Sequence, residues 1–248
     1  MIRAWTDTGV ALALWTLGVL WLVPMLLVLM ILGWVLPQER LEWLSRLYCR
    51  GQVWLTWTRW RAVIDASVDP GRPYLFVQNH VNLLDHVTMY PATPHFKQGM
   101  ELESHFSIPF YGWFMKSRGT IGVRRGAGTQ GREALREAMR AQVVEGRSIL
   151  GFPEGTRTLD GRVGTFRKGL FLLARDLELP VVPVAVTGMY EVLRKGDWRL
   201  RPGGDVTVWC DAPMETAGLT DEEVIALAKR AQRVVAARVE TQREVAHG

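Results

Sequence analysis

Cysteine is nearly absent from this chain of 248 residues, which contains only Cys49 and Cys210. Two cysteines this far apart give no disulfide framework and no C-x-x-C pair, which is typical of proteins from a reducing compartment. The chain also lacks a G-x-S-x-G turn, the segment that presents the serine of an α/β-hydrolase. We therefore expect neither a disulfide-stapled domain nor a serine hydrolase of that type.

Charge is missing from one long segment near the start of the chain. No Asp, Glu, Lys or Arg occurs from Thr8 to Pro37, and about 20 apolar residues let a helix cross a bilayer. The segment is longer than the ~7–15 apolar residues of a secretory signal, and no A-x-A cleavage site follows it. Pro24 removes one helical hydrogen bond and predicts a kink. We expect a helix that spans the membrane, with a hairpin that dips in and returns as the alternative.

Tryptophan is concentrated at the same end of the chain, where it marks a membrane–water boundary. Between Gln38 and Ile64 tryptophans and leucines alternate with arginines, which predicts an amphipathic helix in the interface with its arginines toward anionic headgroups. A second helix packed on the first is the alternative, and Gly51 is a candidate break. The arginines follow the apolar run, so the positive-inside tendency places the remaining domain in the cytoplasm. Eight of the 11 tryptophans lie in this part: Trp5, Trp15, Trp21, Trp34, Trp43, Trp54, Trp57 and Trp60.

The rest of the chain reads as an α/β domain. Short β-rich runs ("YLFVQ", "TIGV", "SILGF", "VVPVAV" and "DVTVWC") alternate with helical stretches at 83–90, 130–144, 168–177 and 221–245. This alternation predicts an α/β layer architecture, with a mixed sheet flanked by helices. We predict two parts: a membrane segment with an amphipathic helix over residues 1–64, and an α/β domain over residues 65–248.

A histidine and a carboxylate follow the first of these predicted strands. His80 lies at the carboxyl end of "YLFVQ", where open α/β sheets bind ligands, and Asp85 follows in the first turn of a helix. An Asp bonded to one imidazole nitrogen would leave the other nitrogen free to act as a base. Two other interpretations stay open. Asp85 could complement the helix dipole beside a packed histidine, or His80, Asp85 and His86 could hold a metal at a spacing that matches zinc hydrolases only loosely.

Four blocks in one order resemble the PlsC-like glycerolipid acyltransferases, also called lysophospholipid acyltransferases. The blocks are Asn79-His80-x4-Asp85, "GTIGVRR" at 119–125, "FPEGTR" at 152–157 and "VVPVAV" at 181–186. The stretch "IPFYGW" also resembles the segment that precedes the second block. The match covers roughly residues 73–188, and four blocks in the family's order exceed what chance similarity provides.

The resemblance implies a mechanism and a set of site residues. His80 would take the proton of an acceptor hydroxyl and Asp85 would orient its ring, so that the hydroxyl oxygen attacks an acyl thioester directly. Arg125 and Arg157 would hold the acceptor's phosphate, because a planar guanidinium pairs with two oxygens at once. Glu154 is expected to fix Arg157 or an acceptor hydroxyl. The other residues expected to bind substrate are Asn79, Asn82, Gly155, Thr156 and Lys168.

The chain departs from the family pattern in two places. Asn82 stands where many members carry a serine. Many members also carry a lysine shortly before the I-P-x-x-G stretch, but the corresponding residues here are "MELESHF", and the nearest lysine is Lys97. The group that stabilises the oxyanion is therefore left unassigned.

The resemblance predicts a membrane-bound enzyme that converts 1-acylglycerol-3-phosphate to phosphatidic acid. The donor would be acyl-CoA or acyl carrier protein, with no cofactor and no metal. The expected partners are the lysophospholipid and the bilayer of the inner cell membrane, reached from the cytoplasmic side. Nucleic acid is not expected, because the arginines flank a membrane segment. The alternatives are the same chemistry on another lysolipid, such as lyso-ornithine lipid, or on a glycolipid intermediate, and an inactive membrane-tethered lipid-binding protein.

Overall fold

The computed structural model describes residues 2–124 and 126–247, with the side chains of residues 8–124 and 126–244. Arg125, one of the two arginines expected to bind phosphate, lies outside the described residues. Eight α-helices occur in this part of the chain. They are α1 (Ile2–Leu32), α2 (Glu42–Leu55), α3 (Asp85–Met89), α4 (Tyr111–Ser117), α5 (Gly128–Val144), α6 (Gly169–Asp176), α7 (Met189–Val192) and α8 (Asp221–His247). Short 3-10 turns cover Gln38–Leu41 and Glu103–Ser107.

A mixed sheet of seven strands, counted over the described residues, forms the centre of the molecule, in the order β1-β7-β6-β2-β5-β3-β4. Neighbouring strands are parallel except β6 and β7, which pair antiparallel. This arrangement confirms the predicted mixed sheet flanked by helices. The strands are β1 (Arg59–Ile64), β2 (Leu75–Gln78), β3 (Lys97–Leu102), β4 (Ile121–Val123), β5 (Ser148–Gly151), β6 (Val181–Thr187) and β7 (Asp205–Cys210).

The sheet is buried on both faces, as expected for strands covered by helices on each side. Along β2, Leu75 and Val77 belong to a core shared with α5, α6 and α8. Their neighbour Phe76 belongs to the opposite core, which includes residues of α3 and α7 and Leu14 of α1. Successive strand residues face opposite sides of the sheet, so β2 contributes to both cores. It is the central strand of the seven.

The predicted boundary at residue 64 is wrong, because β1 belongs to the sheet. The strand pairs along its whole length with β7, from Arg59 opposite Asp205 to Ile64 opposite Cys210. Its arginines alternate with Trp60 and Ala62, which pack on the core. The sequence therefore has a strand period of two here, and Arg59 belongs to a strand and not to the predicted interfacial helix. The α/β domain begins at Arg59, and α2 ends at Leu55.

The first two helices form an antiparallel pair. Trp21 of α1 donates its indole N–H to the carbonyl of Tyr48 in α2, and Gln52 donates to the carbonyl of Gly18. Gly51 lies within α2 and does not break it. A Cβ at this position would lie 2.3 Å from an atom of the Trp21 ring, so the missing side chain lets the two helices approach closely.

Helix α1 continues through Pro24 and lies against the α/β domain at two places. Leu14 packs in the core beside the sheet, and Leu29 packs with Phe114 of α4. The other side of the helix is exposed and apolar. Thr8–Leu32 is long and apolar enough to cross a membrane, with a mean hydropathy of 2.4, the one such segment among the described residues. Its large exposed side chains are Val10, Leu12, Leu17, Val19, Leu20, Val23, Leu27, Val28 and Ile31.

Candidate active site

The structure brings His80 and Asp85 together at the carboxyl end of β2. One residue, Asn79, separates His80 from the end of β2 at Gln78, and Asp85 opens α3 after a short turn. The ring Nδ1 of His80 lies 2.7 Å from Oδ2 of Asp85. The Asp85 side chain is almost fully buried, whereas the His80 side chain is 25% exposed. Asp85 is therefore shielded from solvent, whereas a substrate can reach His80.

The carboxylate of Asp85 is fixed by more than the imidazole. Its Oδ2 also accepts the backbone N–H of Val81 at 2.7 Å, and its Oδ1 accepts the backbone N–H of Asn82 at 3.1 Å. An acceptor-only carboxylate at Nδ1 selects the tautomer that carries its proton there. The Nε2 atom, which has no hydrogen-bond partner among the described residues, is then the free basic nitrogen of the pair.

Phe152 fixes the plane of the His80 imidazole by stacking against it. Its ring stacks on the ring of His80, with centroids 4.2 Å apart and planes 23° apart. Phe152 follows β5, the parallel neighbour of β2, and the carboxyl ends of parallel strands meet at one edge of a sheet. The stacking fixes the plane of the ring, while Asp85 fixes its rotation.

Glu154 holds the main chain of the same histidine. Its Oε1 accepts the backbone N–H of His80 at 2.8 Å, and its Oε2 accepts the backbone N–H of Gly164 at 2.8 Å. Burial raises the pKa of the Glu154 carboxyl, and the two N–H donors oppose that effect. The expected contact with Arg157 is not present, because both oxygens of Glu154 bond to backbone groups.

The two asparagines expected to bind substrate are bonded to the protein backbone. Asn79 exchanges two hydrogen bonds with Val186 in β6, at 3.0 and 2.7 Å. Asn82 donates to the carbonyls of Met189 and Leu193 and accepts the backbone N–H of Leu84. These contacts place the loop that carries His80, and they occupy both polar atoms of each amide.

The "EGTR" turn lies beside the pair and exposes cations. The backbone N–H of Thr158 donates to the carbonyl of His80 at 2.8 Å, which joins the first and third sequence blocks. Gly155 has φ of +70°, a conformation that glycine adopts without strain. Arg157 is half-buried, and its guanidinium has no hydrogen-bond or ion-pair partner in the described chain. Lys168 is exposed immediately before α6.

One lysine near this turn was not predicted. Lys195 donates from its ammonium group to Oγ1 of Thr156 at 3.1 Å and to the carbonyl of Arg157 at 3.0 Å. It lies 38 residues from Arg157 in the chain, in the loop that follows α7. No spacing in the sequence connects these residues, so only the fold reveals the contact.

A cavity of about 230 Å³ lies between α1 and this part of the domain. Arg157, Leu83 and Asn82 line it from the side of the site, Trp15 lines it from α1, and Trp198 lines it from the loop after α7. The indole N–H of Trp15 donates to the carbonyl of Trp198 at 2.6 Å. The lining also includes Arg194 and Asp197, and the Asp197 carboxylate is paired with Arg199 and Arg201. The cavity thus combines cations with apolar walls, which suits a molecule that has an anionic head and an apolar body.

Lys97 does not face the reacting pair. It is 2% exposed, and its ammonium bonds to Oγ1 of Thr93 at 2.9 Å and to the carbonyl of His95 at 2.8 Å. Burial lowers the pKa of Lys97 to about 7. Over residues 2–124 and 126–247, no group of three or more His, Cys, Asp or Glu is placed to hold a metal ion.

Comparison with known proteins gives one family. The model of the Acyltransferase family matches residues 61–187, about half of the chain and all four sequence blocks. A 1-acyl-sn-glycerol-3-phosphate acyltransferase of Brassica napus is 33% identical over 142 residues, which are 57% of this chain and 41% of that protein. One of Saccharomyces cerevisiae is 27% identical over 178 residues, 71% of this chain and 57% of that protein. The chain thus spans about two to three fifths of the length of these relatives.

A solved structure has the same fold. The 1-acyl-sn-glycerophosphate acyltransferase PlsC of Thermotoga maritima superposes with a TM-score of 0.80 at 21% sequence identity. The superposition covers 96% of this chain and 97% of the other, so it includes the two N-terminal helices as well as the sheet.

Proposed function

This chain belongs to the Acyltransferase family, and from that premise we propose that it moves a fatty acyl group from an acyl thioester to the free hydroxyl of a lysophospholipid. The preferred acceptor is 1-acylglycerol-3-phosphate and the product is phosphatidic acid. Relatives that are named for this acceptor support the choice. The observation that carries the proposal is the His80–Asp85 pair, with its free Nε2 at the open side of the sheet.

The geometry suits general-base catalysis of a direct transfer. Nε2 of His80 accepts the hydroxyl proton of the acceptor while the hydroxyl oxygen bonds to the thioester carbon. Asp85 stabilises the imidazolium that forms. The tetrahedral intermediate then expels the thiolate as the carbon–sulfur bond breaks, and the imidazolium returns the proton to the sulfur. The step needs no covalent acyl-enzyme and no cofactor.

The acceptor's phosphate is the group that the cations near this turn fit. Arg157 ends the "EGTR" turn and has no carboxylate partner among the described residues, and a guanidinium binds phosphate through two parallel N–H groups. Arg125 and Lys168 are further candidates for the same phosphate. A lyso-ornithine or glycolipid acceptor lacks a phosphate monoester, and it would leave Arg157 without its preferred ligand.

The N-terminal helices attach the enzyme to the bilayer, and their contacts favour a position within one leaflet. At 1.5 Å per residue, the 31 residues of α1 extend about 46 Å. This helix packs against the domain at two places, near Leu14 in its middle and near Leu29 close to its C-terminal end. A helix held at two points on one domain lies along the membrane surface, with its exposed apolar side in the lipid. Four tryptophans in or near these helices are also exposed and could contact lipid: Trp34, Trp43, Trp54 and Trp57.

The domain is expected on the cytoplasmic side of the cell membrane. Cys49 and Cys210 are buried free thiols, which suits a reducing compartment. Acyl-CoA and acyl carrier protein, the two candidate donors, would then both be available to the same face of the enzyme.

An acylation assay tests the proposed function. Purified protein in detergent receives labelled acyl-CoA or acyl carrier protein and a panel of acceptors: 1-acylglycerol-3-phosphate, other lysophospholipids, lyso-ornithine lipid and monoacylglycerol. We expect the phosphate monoester to be acylated fastest. His80→Ala should lower the rate by about 10²–10⁴-fold, whereas the control His105→Ala should not. Acylation of none of these acceptors would contradict the proposed function and favour the alternative of an inactive, membrane-tethered lipid-binding protein.

A further inference from the structure

Lys195 lies outside the four sequence blocks, yet it contacts the third block directly. Its ammonium group donates to the hydroxyl of Thr156 and to the carbonyl of Arg157. An ammonium has three N–H donors, and these two contacts leave the third donor without a partner in the described chain. Lys195 is half-buried, so its charge lies at the surface of the site and not in the core.

The cations at this position have no counter-charge among the described residues. Neither Lys195 nor the guanidinium of Arg157 forms an ion pair with a described carboxylate. The acids of the same loop already pair with other cations. Asp197 bonds to Arg199 and Arg201, and Glu191 bonds to Arg194.

A ligand that binds these cations could extend into the cavity beside α1. Arg157 lines the cavity, and so do Arg194 and Gly196, the residues on either side of Lys195. Trp15 and Trp198 form the apolar part of the lining. A ligand with a phosphate at the turn and a hydrocarbon portion toward α1 satisfies both parts of this surface.

We infer that Lys195 binds the phosphate of the acceptor together with Arg157, so that the loop after α7 is part of the acceptor site. The inference rests on the proposed function and adds a residue to it. The ligand class is a phosphate monoester. Free inorganic phosphate shares this chemistry and should compete for the same two cations.

Substitutions at Lys195 separate its charge from its contacts with the turn. Lys195→Gln removes the charge and keeps an N–H donor for Thr156, whereas Lys195→Arg keeps both. Lys229→Gln, on the exposed side of α8, is the matched control. We expect Lys195→Gln to raise the KM for 1-acylglycerol-3-phosphate about tenfold, the usual loss for one charged hydrogen bond. The kcat/KM with monoacylglycerol and the KM for acyl-CoA should stay within about twofold. Lys195→Arg and the control should behave like the unmodified protein.

Two further measurements support or overturn the inference. Inorganic phosphate should inhibit the unmodified enzyme more strongly than Lys195→Gln, and glycerol 3-phosphate should raise the melting temperature of the unmodified protein more than that of the variant. An equal loss of kcat/KM on both acceptors would show that Lys195 only stabilises the structure of the "EGTR" turn. A raised KM for acyl-CoA alone would assign the charge to the donor's phosphates. Either result overturns the inference while the proposed function stands.

The proposed function can fail separately. If the unmodified protein acylates no lysolipid, that function is wrong. In that case glycerol 3-phosphate binding still tests the role of Lys195. If glycerol 3-phosphate raises the melting temperature of the unmodified protein but not that of Lys195→Gln, Lys195 binds phosphate. If it raises neither melting temperature, the phosphate site is refuted.

Discussion

Glu154 accepts the backbone N–H of His80 at 2.8 Å while Asp85 bonds to the ring of the same residue. One histidine is therefore held by two carboxylates, one at its main chain and one at its side chain. The second oxygen of Glu154 bonds to Gly164, which ties the loop after β2 to the loop after β5. The position of His80, the proposed base, therefore depends on both strands.

Replacing Glu154 by Gln should lower kcat about tenfold and leave the acceptor KM nearly unchanged. The amide nitrogen of Gln would face one of the two N–H donors, and an unmade hydrogen bond of this kind costs about 1–3 kcal/mol. Steady-state kinetics with 1-acylglycerol-3-phosphate measures the effect. Glu240→Gln on α8 is the control. A raised acceptor KM with an intact kcat would show that Glu154 binds substrate directly.

Replacing Asp85 by Asn should lower kcat by about 10²–10⁴-fold, because the amide no longer selects the tautomer with a free Nε2. The protein should also lose stability, by about 1–3 kcal/mol, since the amide nitrogen of Asn faces backbone N–H donors of Val81 or Asn82. Activity and unfolding are measured on the same preparation. Asp211→Asn at a surface ion pair with Arg238 should change stability by about 0–1 kcal/mol. A fully active Asp85→Asn enzyme would refute the role of this carboxylate.

Gln78 is buried at the end of β2, and both polar atoms of its side chain are without a partner among the described residues. A buried amide that makes no hydrogen bond destabilises the folded state. Gln78→Met, of similar size, should therefore raise the unfolding free energy by about 1 kcal/mol, as measured by denaturant titration in detergent. Gln98→Met is the control on β3. A loss of stability in Gln78→Met would mean that the amide binds a buried water.

Lys97→Met should change how stability depends on pH. The buried Lys97 has a pKa of about 7, against 10.5 for the ordinary side chain. Between these values the unfolded chain holds a proton that the folded chain does not, so stability rises with pH, by at most about 1.4 kcal/mol per unit. The Lys97→Met variant lacks this pH-dependent contribution to stability. Melting temperatures from pH 6 to 10 should show its advantage over the unmodified protein shrinking as pH rises, and parallel curves would contradict the assignment.

Membrane topology is tested with single cysteines. In sealed vesicles with the domain outside, an impermeant thiol reagent should label both Ala4→Cys and the exposed domain position Ala217→Cys from the outside. Leu20→Cys, on the apolar side of α1, should stay protected. If Ala4→Cys reacts only after the vesicles are opened, α1 spans the bilayer, and the position within one leaflet is wrong.

The strands that carry the sequence blocks could be predicted from the sequence, because β2, β5 and β6 are continuous apolar runs. The two strands that were not predicted, β1 and β3, lack a continuous apolar run. In β1 arginine alternates with tryptophan and alanine, and β3 ("KQGMEL") contains polar residues and a glycine. Both strands lie toward the edges of the sheet, so their assignment depends on pairing with β7 or β5.

The residues of the sequence blocks could be predicted to belong to the candidate site, but the contacts between blocks could not. His80 and Asp85 are five residues apart, and a turn between a strand and a helix brings them into contact. Phe152 and Lys195 reach the site because β5 adjoins β2 and the loop after α7 returns to the "EGTR" turn. Such adjacency is a property of the strand order, and no local spacing records it.

The packing of α1 along the domain has a consequence for lipid traffic. If α1 lies within one leaflet as proposed, the enzyme would take its lysolipid from a single monolayer and release its product into that same monolayer. New lipid would accumulate on one side and expand it relative to the other. Growth of the whole bilayer would then require a separate protein that carries lipid across.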